Sequence, residues 1–318
     1  VRLIFLGTPA FALPSLDRLV ADGHALAAVV TQPDRPAGRG QALRAAPVKR
    51  RALALGLPVL QPERIREPAV AERLRALAPE ALIVVAYGQL LPSPLLALAP
   101  HGCLNVHASL LPAYRGAAPI AWALIRGERE TGVSIMRLDA GMDTGPVCLQ
   151  RAVPVGPDET AGELHDRLAA LGAAALAEAL RLVAEGRAAF TPQDHGRASL
   201  APRLTPADLW IDWKAPAREV HDRIRGLAPA PGAVARWRGQ LLKLLRSAVA
   251  SEADPPGEDP VAPGTIVGLG AGGIVVRAGR GTVRLLEVQA PGRRVLPAAA
   301  FARGARLAAG ERLEGERA

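Results

Sequence analysis

The sequence predicts an α/β protein, with an N-terminal Rossmann-like domain built on a mostly parallel sheet and a smaller C-terminal β-barrel (OB-like) domain. Three observations carry this expectation. Short apolar runs alternate with amphipathic stretches over roughly the first 200 residues. After Leu227 the pattern changes to short alternating segments separated by Gly and Pro. The length of 318 residues also favours two cores over one.

In chain order, Arg2 to Leu6, Leu26 to Val30, Leu57 to Leu60, Ala81 to Val85 and Cys103 to Val106 read as buried strands. Ala12 to Val20 and Val70 to Leu77 place Leu and Val at helical spacing between them. Strand and helix in alternation imply right-handed crossovers, and ligands then lie beyond the carboxyl ends of the strands. A further helix is expected from Thr160, with Leu164, Leu168, Leu171, Leu176, Leu180 and Val183 on one stripe and a stop at Gly186. The polar stretch 190–205 reads as a linker. Beyond it, Ala233 to Trp237, Leu241 to Leu245, Gly264 to Val267, Ile274 to Val276 and Val283 to Val288 fit a small β-rich barrel or sandwich. Residues 1–189 and 206–318 are thus the expected domains.

Half the residues are apolar, which excludes wholesale disorder. The longest apolar runs fall well short of the roughly 20 residues that span a bilayer. The N-terminal residues read as a strand and not as a signal peptide, so a cytoplasmic protein without a membrane partner is expected. Two Cys support neither a disulfide framework nor a four-Cys zinc site, and the six His show no metal-ligand spacing, so no metal is expected. Of the 39 basic residues 36 are Arg, and the net charge is +9. A GC-rich codon bias accounts for much of that excess, although a positive field still favours polyanionic partners. From Leu204 onward 17 basic residues face 12 acidic ones, so the smaller domain is the more basic per residue.

The most informative stretch runs from Gly102 to Pro119. Asn105 and His107 lie at i, i+2 on an apolar strand, so both side chains emerge on one face. A single polar residue there is commonly a satisfied core group; two at a predicted ligand edge argue for a site. Asn can donate to a developing oxyanion, and His can move a proton near neutral pH. Cys103 shares that face by parity and reads as a core thiol. The second stretch, Gly132 to Pro146, ends a strand in a Gly-rich turn bearing Asp139 and Asp143. Carboxylates in such turns are often structural. An acid, an imidazole and an amide donor without an activated nucleophile nonetheless fit direct acyl transfer to an external amine. Ser109 is the nearby candidate for a covalent intermediate.

Asn105-x-His107, then Ser109-Leu110-Leu111-Pro112, with Asp143 downstream, resembles the formyltetrahydrofolate-dependent formyltransferases. Gly7-Thr8-Pro9-Ala10-Phe11, Thr31 to Gly40, Arg115 to Ile120 and Glu130 to Met136 extend the likeness, which is strongest toward the members that act on initiator tRNA. Ile211-Asp212-Trp213, Pro263 to Ile266 and Pro291 to Arg294 anchor it in the second domain. The resemblance implies transfer of the formyl group of 10-formyltetrahydrofolate to the α-amine of methionine carried by initiator tRNA. It implies Asn105, His107 and Asp143 as the catalytic trio, with Asp143 orienting His107, and Ser109, Leu110, Leu111 and Pro112 as folate contacts.

Gln32 to Arg44 carries Arg35, Arg39 and Arg44 without apolar periodicity and is either a solvated loop or a contact to the tRNA acceptor end. Lys243, Arg293 and Arg294 are the candidate phosphate contacts of the basic second domain. A monomer is expected. Formyl transfer to a small amine and a non-catalytic RNA-binding module are the competing functions. Against the first stand the Arg-bearing insertion and the basic second domain; against the second stands the intact trio.

Overall fold

The computed structural model describes residues 1–37, 42–254 and 261–315. They form two compact units. One comprises Val1–Gly116, Thr131–Val153 and His165–Ala201; the other comprises Ala117–Glu130, Pro154–Leu164 and Pro202–Ala318.

The chain begins with β1 (Arg2–Gly7), α1 (Leu13–Ala21) and β2 (Ala25–Val30). A short excursion, β3 (Arg35–Ala37) and β4 (Ala42–Arg44), precedes α2 (Pro47–Ala54), β5 (Val59–Leu60) and α3 (Pro68–Arg75). Next come β6 (Ala81–Val85), α4 (Ser93–Leu96) and β7 (Cys103–His107). After an irregular segment follow α5 (Pro119–Ile125), β8 (Glu130–Arg137), β9 (Val147–Pro154) and the long α6 (Ala161–Ala184). The seven-stranded sheet has the order β5-β2-β1-β6-β7-β8-β9. Pairing is parallel from β5 to β7 and turns antiparallel at β8, where His107 faces Ser134.

Burial explains why these runs carry almost no polar residues. Each residue of β6 and β7 is buried, with helices on the sheet faces. One face packs Ile4, Leu6, Leu82 and Val84 against Ile65, Leu74 and Leu95. Cys103 belongs to this core; its thiol donates to the Leu95 carbonyl at 3.3 Å, and burial pushes its pKa up to about 12. It is a packing residue and not a nucleophile. On α6, Gly172 faces Val106 so closely that a Cβ would stand 2.7 Å from Val106 Cγ1. The stretch from Gln32 to Arg44, expected to be irregular, contains a two-stranded hairpin in which Arg35 is registered opposite Arg44.

In the second unit, α7 (Ala217–Leu227) leads into β10 (Ala233–Trp237), β11 (Gln240–Ser251), β12 (Ile266–Gly270), β13 (Gly273–Arg277) and β14 (Thr282–Gln289). The short β15 (Leu296–Pro297) and α8 (Ala298–Gly304) follow. The sheet order is β10-β11-β14-β13-β12, antiparallel throughout, with β15 beside β14. Its two edges are joined by the C-terminal segment. Leu313 N–H donates to Gly264 O, Gly310 N–H donates to Ile266 O, and Glu314 exchanges both backbone bonds with Arg236 on β10. That closes the sheet on itself and removes its free edges. Glu311 locks the segment by accepting from Arg238, Trp237 and Ala308, and the Arg238 bonds chiefly hold its carboxyl down at about 2.

A buried polar cluster fastens the chain before α6 to α7. His221 is fully buried, and its Nε2 meets the Pro157 carbonyl at 3.0 Å while Nδ1 meets Ser247 Oγ at 2.9 Å. A carbonyl only accepts, so the imidazole carries its proton on Nε2 and takes the Ser247 hydroxyl at Nδ1. Arg225 pairs with the buried Asp222 at 2.6 Å and donates to the Gly156 and Glu159 carbonyls. Burial lowers the His221 pKa below the ordinary 6.5. Its contribution is therefore fully present above the unfolded value of 6.5 and is lost as pH falls through the lower folded value, because the unfolded chain then binds the extra proton. Replacing His221 by Gln is expected to cost about 1–3 kcal/mol at pH 8 and to flatten this acid limb, as read by denaturant melts between pH 8 and 5.

Candidate active site

The site forms where β7 runs out of the sheet. Asn105 and His107 are buried on this strand, and Asn105 retains slight exposure with no side-chain hydrogen bond among the described residues. The irregular segment that follows folds back over the strand end. His107 Nε2 is 3.0 Å from the Tyr114 carbonyl, which again places the ring proton on Nε2. Nδ1 faces Asp143 Oδ2 at 3.7 Å, close enough for electrostatic support and too long for a hydrogen bond. The same Oδ2 accepts the Gly116 N–H at 2.9 Å. Asn105, His107 and Asp143 therefore come from two chain segments brought together at the carboxyl edge of β7, the Gly116 amide tying the carboxylate to the β7 segment.

The turn that carries Asp143 is shaped by its small residues. Asp139 accepts from Gly141 N–H at 3.0 Å and from the Thr144 hydroxyl at 2.7 Å, so it is the structural carboxylate of the pair. Asp143 itself adopts φ +54, a left-handed conformation costing about 1–2 kcal/mol for a residue with a Cβ. At Gly145 a Cβ would stand 1.9 Å from the Arg137 carbonyl, so only glycine lets the turn lie against β8.

Ser109 is fully buried, and its hydroxyl donates to Ala113 O at 2.6 Å. It is spent on the loop and unsuited to nucleophilic attack. The Ser109 carbonyl accepts from Ser134 Oγ, the Leu111 N–H donates to that oxygen, and the Leu111 carbonyl accepts from Gln150 Nε2 at 2.8 Å. Leu111 is buried, whereas Leu110 and Pro112 remain half-buried. Sequence reasoning singled out neither Gln150 nor Ser134 for this task. Their signal is faint, since a polar residue in a strand names no partner.

Arg35 and Arg44 are exposed, and Arg39 lies outside the described residues. The Arg35–Arg44 register sets two like charges across the hairpin, which by itself destabilises it. The hairpin base is anchored by Asp34, which pairs with Lys49 at 2.6 Å and accepts from Gln61 at 2.8 Å. These two bonds hold the Asp34 carboxyl below its ordinary range. In the other unit, Lys243 on β11 is exposed and donates to the Pro231 carbonyl at 2.7 Å. Arg293 and Arg294 are exposed and line an open groove of about 660 Å³ with Leu296 and Phe301. Among the described residues, no helix is long and apolar enough to cross a membrane, and no three His, Cys, Asp or Glu side chains cluster to hold a metal.

Residues 1–180 match the family described as formyl transferase, and residues 203–306 match the formyl transferase C-terminal domain. The chain belongs to the formyltransferase family. It is 49% identical to a methionyl-tRNA formyltransferase from Solibacter usitatus, over 98% of either chain. It is 52% identical to one from Anaeromyxobacter dehalogenans, over 96% of this chain and 97% of that one. Among solved structures, WlaRD, a sugar 3N-formyl transferase crystallised in the presence of dTDP and 5-N-formyl-THF, shares the fold. Its TM-score is 0.68 at 16% identity, over 92% of this chain and 99% of that one. Replacing Gly145 by Ala is expected to push the Asp143 turn off β8 and to lower formyl-transfer turnover about tenfold or more. Steady-state kinetics beside a circular dichroism melt will separate this from global unfolding.

Proposed function

We propose that this chain transfers the formyl group of 10-formyltetrahydrofolate to the α-amino group of methionine on initiator methionyl-tRNA. The observation that carries this reading is the near-full-length similarity, at about half identity, to relatives named for that activity. The chemistry of the site supports it. The amine nitrogen attacks the formyl carbon, and the carbonyl oxygen becomes a tetrahedral oxyanion. The Asn105 carboxamide donates to that oxyanion. As the carbon–N10 bond breaks, the amine loses a proton and N10 gains one. His107 has Nε2–H committed to Tyr114 O, which leaves Nδ1 to take the proton from the amine and pass it to N10. The Asp143 carboxylate stabilises the imidazolium between these events.

Ser109, Leu110, Leu111 and Pro112 are proposed to meet the folate. Much of this segment's hydrogen-bonding capacity is spent within the protein, so the half-buried Leu110 and Pro112 would offer apolar surface. Arg35, Arg39 and Arg44 would meet the acceptor end of the tRNA, where polyanion binding offsets the like-charge register of Arg35 and Arg44. Lys243, Arg293 and Arg294 would contact phosphates of the folded RNA. Residues 1–189 then carry the transfer, 190–205 connect, and 206–318 hold the tRNA.

The deciding experiment offers labelled 10-formyltetrahydrofolate to methionyl-initiator tRNA, elongator methionyl-tRNA and small amines in parallel. Label transferred to initiator tRNA is the expected result, and transfer to small amines alone would overturn the reading. Replacing Asn105, His107 or Asp143 by Ala is expected to lower turnover about 10²- to 10³-fold while leaving the KM for the folate within about threefold. Replacing Arg35, Arg39 and Arg44 together by Ala should raise the KM for tRNA about tenfold or more, make it less salt-dependent and leave the folate KM alone. A comparable change in the folate KM would assign those residues elsewhere.

A further inference from the structure

Gln193 belongs by sequence to the polar connecting stretch, yet its side chain is buried behind the Asp143 turn. Its Nε2 donates to the Asp143 carbonyl at 2.8 Å and to the Gly145 carbonyl at 2.7 Å. Its Oε1 accepts from Arg115 Nε at 3.1 Å and Nη2 at 2.6 Å. Arginine only donates and carbonyls only accept, so this orientation of the carboxamide is the single one that satisfies both sides. Arg115 is buried too. Its backbone is held from the same stretch, with its N–H donating to Ser199 O and its carbonyl accepting from Ala201 N–H. Its neighbour Tyr114, whose carbonyl accepts a hydrogen bond from His107 Nε2–H, donates its own N–H to Ser199 Oγ at 2.9 Å.

One buried carboxamide thus ties the carbonyl of Asp143 to the guanidinium of Arg115, the residue that follows Tyr114 in the chain. Asp143 sits at φ +54, where the local backbone preference works against it, so bonds from outside the turn are what hold it. We propose that Gln193 is a positioning residue for formyl transfer, setting Asp143 against His107 through its bonds to Asp143 and Gly145, with Arg115 fixing the orientation of its amide. This rests on the reading of Asp143 as part of the catalytic machinery.

The test pairs Gln193→Met with Gln193→Glu. Met keeps the volume and removes all four bonds. Glu keeps an acceptor for Arg115 and loses the two donors, so it preserves packing while releasing the turn. In either variant turnover is expected to fall about 10- to 100-fold with the folate KM within about twofold, and Glu should still melt cooperatively above the assay temperature. Each change is then combined with Asp143→Asn and assayed with enzyme in excess over tRNA. If Gln193 acts through Asp143, the second substitution adds less than about threefold to the Asp143→Asn loss. Wild-type turnover in a folded Gln193→Glu protein, or a full multiplicative loss in the double variant, would overturn the proposal. Unimpaired turnover in Asp143→Asn alone would instead remove Asp143 from the mechanism, a failure of the underlying reading that the single variant distinguishes.

Discussion

The chain between β7 and α5 is mostly buried or half-buried and has no sheet or helix of its own to satisfy it. A buried backbone group without a partner costs about 1–3 kcal/mol, so such a segment has to recruit hydrogen bonds from elsewhere. It does so from several directions. Ser134 on β8 and Gln150 on β9 bind its start, Ser199 and Ala201 bind its end, and Asp143 binds the Gly116 amide. His107 takes one carbonyl of the segment for itself. The site is in this sense a by-product of satisfying a buried loop, because the groups that satisfy it also fix the ring proton of His107 and the place of Asp143.

The same constraint divides the polar residues by role. Ser109 and Asp139 lie near His107 and Asp143 in sequence but spend their oxygens on local bonds. Asn105 makes no side-chain hydrogen bond among the described residues, and Nδ1 of His107 has no hydrogen-bond partner among them either. Groups left uncommitted at the end of a buried strand are those that can meet a ligand. In the second unit the economy is different. Closure by the C-terminal segment satisfies the strand edges, and buried pairs such as Arg225 with Asp222 fasten the chain inward. Lys243, Arg293 and Arg294 remain exposed.

Most of the architecture was legible because burial writes itself into composition. Strands β1, β2, β6 and β7 are near-continuous apolar runs, and α6 shows its stripe along most of its length. The Asn105-x-His107 pair was legible for a related reason, since two polar residues on such a strand have a cost that a site explains. The hairpin between Gln32 and Arg44 was not, because strands of three residues are too short for a period to show. Nor did the stretch 190–205 announce that it supplies Gln193, Ser199 and Ala201 to the site. A sequence rich in polar and turn residues looks alike whether it crosses solvent or plugs a buried loop.

By itself the sequence determined the alternation of strand and helix, the change to an antiparallel pattern, and which strand end bears amide and imidazole. Those follow from periodicity and hydrophobicity, which act over a few residues. Tertiary structure alone decided which imidazole nitrogen carries the proton, that Gln193 reaches the Asp143 turn, and that the C-terminal segment closes the second sheet. Each of these depends on hydrogen bonds between residues seven or more positions apart. Such bonds are set by where the packed chain brings donors and acceptors, and no local pattern encodes them.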